Sequence, residues 1–118
     1  MTARARAYAV VKGDSMALHP ACHAVETYLV AWFPAGVIEE YDWAERRCWV
    51  FKVSVPRHTF RLLVSTRFLD DTGDEEIGRL MHEWHVAARM RMAGAKEWVH
   101  VGCDGVTFAD AEPSYPRP

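Results

Sequence analysis

The chain is poor in cysteine, and the few it has form no set. Cys22, Cys48 and Cys103 are three, far apart, with no Cys-x-x-Cys spacing. That pattern excludes a closed disulfide framework and a zinc knuckle, and it points to free thiols in a reducing compartment. Long apolar runs are missing too. No stretch approaches 18 consecutive apolar residues, and the start, MTARARAYAVVKGD, has no apolar segment of secretory length. The expectation is a cytoplasmic protein without a membrane partner. The glycines provide no phosphate loop, because GDEEIG (73–78) matches neither nucleotide-binding spacing. No cofactor is therefore expected. Charge of one sign is not in excess either, with 14 basic and 16 acidic side chains and a net charge of -2. This balance disfavours broad attraction to nucleic acid.

What is present suits one small domain. The chain has 118 residues, half of them hydrophobic, enough for one core and too few for two ordinary domains. We assign residues 1–110 to a single α+β domain. Residues 111–118, AEPSYPRP, hold three prolines and read as a flexible C-terminal tail.

The periodicities place the elements. Residues 4–12 are compatible with a short strand. From Pro20, which suits a first helical turn, the apolar side chains Cys22, Val25, Tyr28, Leu29, Trp32 and Phe33 form a helical stripe that Pro34-Ala35-Gly36 ends. Asp14, Ser15 or His19 could lie at its cap, Ser15 and Asp14 being the better cappers. Residues 37–47 fit either a helical turn or a strand with a loop. Residues 48–55 and 59–68 read as two strands of a hairpin, with Phe60, Leu62 and Val64 on one face and Arg61, Ser65 and Arg67 on the other. Leu63 breaks that alternation, so the second face is half covered. After DDTGD (70–74), where Thr72 or Asp74 can cap, residues 75–92 predict one long helix stopped by Gly94. Gly78 inside it suggests a close approach by another element. Residues 96–101 and 106–108 predict a second hairpin, turned at Asp104-Gly105 as type I′. The resulting order is (β)-α-β-β-α-β-β. The expected fold is a two-layer α+β sandwich, an antiparallel four-stranded sheet with two helices on one face.

One short segment suggests chemistry. Lys12-Gly13-Asp14-Ser15-Met16 resembles the nucleophile segment of the self-cleaving repressor and signal peptidase families, and Lys52 stands 37 residues after Ser15. The resemblance implies a serine–lysine peptidase with Ser15 as nucleophile, Lys52 as general base and a strand-rich fold. A lysine serves as base when burial lowers its pKa, and Lys52 lies in an apolar strand between Phe51 and Val53. The helical stripe that begins at Pro20 occupies the place where such a fold has strands. The peptidase is thus an alternative to the main reading.

Other residues offer weaker chemistry. His82 and His85 stand three apart in the long helix and are the candidate metal ligands, though the spacing is not that of a zinc protease helix. Cys22 lies on the apolar stripe and reads as an inert core thiol, while Cys103, beside the turn, reads as exposed. Arg57, Arg61 and Arg67 could form a basic sheet face for single-stranded nucleic acid. Five tryptophans and half-apolar second strand faces favour a homodimer. The first reading is a small non-enzymatic, protein-binding regulatory or accessory protein whose partner is another protein or a second copy.

Overall fold

The computed structural model describes residues 19–94 and 97–110. It corrects the expected architecture. Among the described residues five strands form one mixed sheet in the order β1-β2-β3-β4-β5, and four α-helices accompany it. The strands are β1 (Val37–Trp43), β2 (Cys48–Val55), β3 (His58–Ser65), β4 (Glu97–Gly102) and β5 (Gly105–Asp110). The helices are α1 (Cys22–Trp32), α2 (Thr66–Asp71), α3 (Asp74–Glu83) and α4 (Val86–Ala93). All strand pairs are antiparallel except β3–β4, which is parallel, with Leu62, Leu63 and Val64 opposite Val99, His100 and Val101. A parallel neighbour needs a crossover connection, and the three helices α2, α3 and α4 supply it.

The ambiguous segment after Gly36 is the fifth strand. β1 pairs with β2 along its whole length, from Val37↔Ser54 to Trp43↔Cys48. A 3₁₀ turn, Ala44–Arg46, and left-handed Arg47 (φ 54) join the two strands.

The end of β3 also differs from expectation. Thr66, Arg67 and Phe68 start α2, and the Ser65 hydroxyl accepts the Phe68 N–H at 3.4 Å. A serine at that position satisfies a helix-start donor and releases the chain from the sheet. α3 then begins after Gly73 without a side-chain cap; neither Thr72 nor Asp74 is its capping residue. Its first turn carries Asp74, Glu75 and Glu76, which suit the positive end of the helix dipole.

The long helix expected over 75–92 is two helices. His85 sits in the left-handed region (φ 55) between α3 and α4. One local and one long-range contact hold the break. Arg89 Nε donates to the Trp84 carbonyl at 2.9 Å, and the Ala87 N–H donates to the Tyr28 hydroxyl at 2.9 Å. Gly78 does not mark a close approach, since a Cβ there would meet nothing within 4 Å. The last hairpin turns one residue earlier than expected. Gly102 pairs with Gly105, so Cys103 and Asp104 are the loop, and the positive φ (127) falls on Gly105.

The main core lies between the helices and one sheet face. Val25 and Leu29 of α1, Ile77 and Met81 of α3, and Val86 and Met90 of α4 pack with Phe51, Val53, Leu62, Val64, Val99 and Val101. A second, smaller cluster of Cys48, Val50, Leu63 and Trp98 lies on the opposite sheet face and, among the described residues, includes none from a helix. The strand periodicity of two produces both clusters from alternating side chains of the same three strands, β2, β3 and β4.

Candidate binding surfaces

The second sheet face is built by register. Across β1–β2, Glu39 opposes Lys52, Tyr41 opposes Val50 and Trp43 opposes Cys48. Across β2–β3, Lys52 opposes Arg61 and Val50 opposes Leu63. Directly opposed residues share a face, so Tyr41, Trp43, Arg61 and Trp98 gather around the small apolar cluster. Trp43 and Trp98 meet edge to face with centroids 6.4 Å apart. The Arg61 guanidinium lies 5.2 Å from the Trp98 ring centroid, and that of Arg46 lies 5.1 Å from the Trp43 centroid. His100 is on this face opposite Leu63, and burial, then the nearby Arg46 charge, holds its pKa below the usual range. The arrangement is an apolar centre ringed by aromatic and guanidinium groups, with a charged margin at Glu39 and Lys52, whose charged atoms are 3.7 Å apart.

The residues singled out in the sequence scatter over the fold. Ser15 lies outside the described residues. Lys52 is on the second sheet face beside Glu39 and is about one-third exposed, with a side chain 35% accessible. Arg61 is on the same face, but Arg67 is not. It belongs to α2, where its guanidinium lies 3.7 Å from Asp71. Arg57 is in the β2–β3 turn with φ 76. The three arginines therefore do not form one strand face. The geometry assumed for His82 and His85 also fails, because the left-handed residue at 85 ends the helix that would align them. Among the described residues no group of three or more metal-binding side chains comes together. Cys22 and Cys48 are buried and Cys103 is exposed. No helix among the described residues is long and apolar enough to cross a membrane.

His19 has a role that the sequence only hinted at. Its Nδ1 accepts the Ala21 N–H at 3.0 Å, and its Nε2 lies 2.7 Å from Asp70 Oδ1. The two contacts require the proton on Nε2 for the neutral ring. One imidazole thus satisfies the start of α1 and joins it to the end of α2.

The least expected feature is a buried carboxyl group beside a second, half-buried one. Glu40 of β1 is 1% exposed, on the core face next to Ile38. Neither of its carboxylate oxygens has a hydrogen-bond donor among the described residues. Burial, followed by the neighbouring Glu26 carboxyl of α1, pushes its pKa up to about 9. Two ionised carboxylates have no donor between them, and a retained proton supplies one. Glu26 is closer to solvent and lines a recess of about 250 Å³ with His23, Thr27 and Val30. Glu40 falls in the segment 37–47 whose element is ambiguous in sequence, and nothing in its spacing signals that it turns inward.

Comparison with known proteins yields no match: no protein-family model fits the chain, and neither a curated protein nor a solved structure resembles it significantly.

Proposed function

We propose that the protein is a non-enzymatic, cytoplasmic protein-binding module that acts as a regulatory or accessory subunit through the second face of its sheet. The observation that carries this reading is the layout of that face. Val50, Leu63 and Trp98 form an apolar centre, and Tyr41, Trp43, Arg46 and Arg61 surround it. Tryptophan, tyrosine and arginine are the residues that dominate interface energetics, and an apolar centre inside a polar margin is the usual anatomy of an interface. Tyr41 is 38% exposed, large and positioned on edge strand β1. The unpaired thiols support a reducing compartment.

The partner proposed is a second copy of the chain. A two-fold arrangement brings the same patch from each copy together, so one set of aromatic and arginine residues serves both sides. Light scattering on the eluting protein at about 100 µM is the test, and a dimer is the expected result, as an interface of standard size holds well below that concentration. Tyr41→Asp places a charge at the proposed contact and converts the dimer to a monomer. A monomeric wild type at that concentration overturns the self-association, as does a dimer that survives Tyr41→Asp unchanged.

A further inference from the structure

A different region of the fold carries a second site. The loop after α1, the end of the β2–β3 hairpin and the end of α4 enclose a pocket of about 420 Å³. Its walls are mainly Phe33, Pro34, Ala35, Val55 and Phe60, and its two polar side chains are His58 and Arg91. The aromatic walls are fixed by one another. Phe33 and Phe60 rings meet with centroids 5.5 Å apart, and the His58 ring stacks on Phe60 at 5.9 Å. Both phenylalanines belong to the main core, so these walls are held in place by packing on the side away from the pocket.

Arg91 is the distinctive group. Its guanidinium lies 4.4 Å from the centroid of Phe33 and donates one hydrogen bond to the Trp32 carbonyl at 2.5 Å. That bond orients the fork while leaving most of its five N–H donors unused. No carboxylate lies within salt-bridge distance of Arg91 among the described residues, whereas Arg67 and Arg79, unlike several other arginines, have such a partner. The charge on the pocket wall thus makes no direct ion pair with an acid of the described fold. Gly94, at φ 64, adds no side chain to the mouth, and a Cβ there would meet nothing within 4 Å.

We propose that this pocket binds a small apolar monocarboxylate, an aryl or short alkyl acid. The body of the ligand lies against Phe33, Val55 and Phe60, and its carboxylate pairs with the Arg91 guanidinium. The reasons are size and composition. The volume falls in the range of small-molecule sites, which are mostly apolar with a few orienting polar groups. A single planar guanidinium matches one carboxylate by paired N–H···O bonds and is too little charge for a polyphosphate. The site is independent of the sheet face proposed for protein binding, so either proposal can fail without the other.

The test is titration of the protein with 3-phenylpropionate and with its neutral amide, 3-phenylpropanamide, followed by NMR chemical shifts. The acid is expected to bind at least about tenfold more tightly than the amide, the factor that one charge-assisted pair provides. Arg91→Gln removes the preference for the acid. Ala35→Trp, at an exposed position in the lining, blocks both ligands while circular dichroism shows the fold intact. Equal binding of acid and amide to the wild type overturns the proposal, and so does no shift with either at millimolar concentration. A peptide ending in phenylalanine that binds more tightly than the free acid also overturns it, by assigning the pocket to a polypeptide terminus. Should Arg91→Gln fail to fold, the acid–amide comparison on the wild type decides.

Discussion

The Ala87 N–H donates to the phenolic oxygen of Tyr28 at 2.9 Å, across 59 residues of chain. Ala87 belongs to the first turn of α4, where backbone donors have no partner within the helix. His85 precedes that turn in a left-handed conformation and makes no side-chain cap. The hydroxyl of α1 therefore provides the cap that the local sequence lacks, and it does so inside the core, since Tyr28 is buried.

Tyr28→Phe keeps the ring and deletes that acceptor. The Ala87 N–H is then buried without a partner, which costs about 1–2 kcal/mol. Urea unfolding is expected to show a lower midpoint at unchanged slope. An unchanged midpoint would mean that water reaches the start of α4.

Glu40 makes stability depend on pH in an unusual direction. Its ordinary pKa is 4.5, and burial with the adjacent Glu26 raises it to about 9 in the folded chain. Between those values the unfolded chain has lost this proton and the folded chain still holds it. The stabilising contribution is complete below the unfolded pKa and declines as pH rises through the window, by a few kcal/mol in all. Glu40→Gln has no such proton to hold. The stability difference between Glu40→Gln and the wild type is expected to grow from pH 5 to pH 9, as read by thermal or urea unfolding at each pH. A difference that stays constant across that range refutes the retained proton.

Gly78 occupies the interior of α3 with open space around its missing Cβ. Replacing it with alanine removes backbone freedom from the unfolded chain and introduces no clash. Gly78→Ala is expected to raise stability by about 0.5–1 kcal/mol. A loss of stability would show that another group needs that space.

The thiols are expected to divide into one fast and two slow. Burial raises Cys22 to about 12 and Cys48 to about 11, so neither forms thiolate near neutral pH. Cys103 is exposed beside the β4–β5 turn. Titration of native protein with a chromogenic disulfide should consume one thiol quickly, and the other two only after unfolding. Rapid reaction of all three would contradict the burial of α1 against the sheet.

Local pattern was enough for much of the molecule. The stripe of Cys22, Val25, Tyr28 and Leu29 is legible because α-helical spacing repeats on one face. The alternation in 48–55 is legible because strand side chains alternate, and it separates Phe51 and Val53 from Val50 and Lys52. Those two periods determined most of the side chains that face the core, although Trp32, on the same helical stripe, is exposed. The helical period also determined that Cys22 is a core thiol, while the neighbouring turn signal marked Cys103 as exposed.

The rest was decided by contacts far apart in the chain. Whether 37–43 became helix or strand depended on pairing with β2, since a strand's hydrogen bonds are completed only by its neighbour. The helix break at His85 is held by Tyr28, 57 positions earlier, and by Arg89. The parallel β3–β4 pair, the inward turn of Glu40, and the meeting of Arg91 with Phe33 and Phe60 have no local signal either. Each is a balance between the desolvation of a polar group and packing by a distant element, and that balance exists only once the chain has closed on itself.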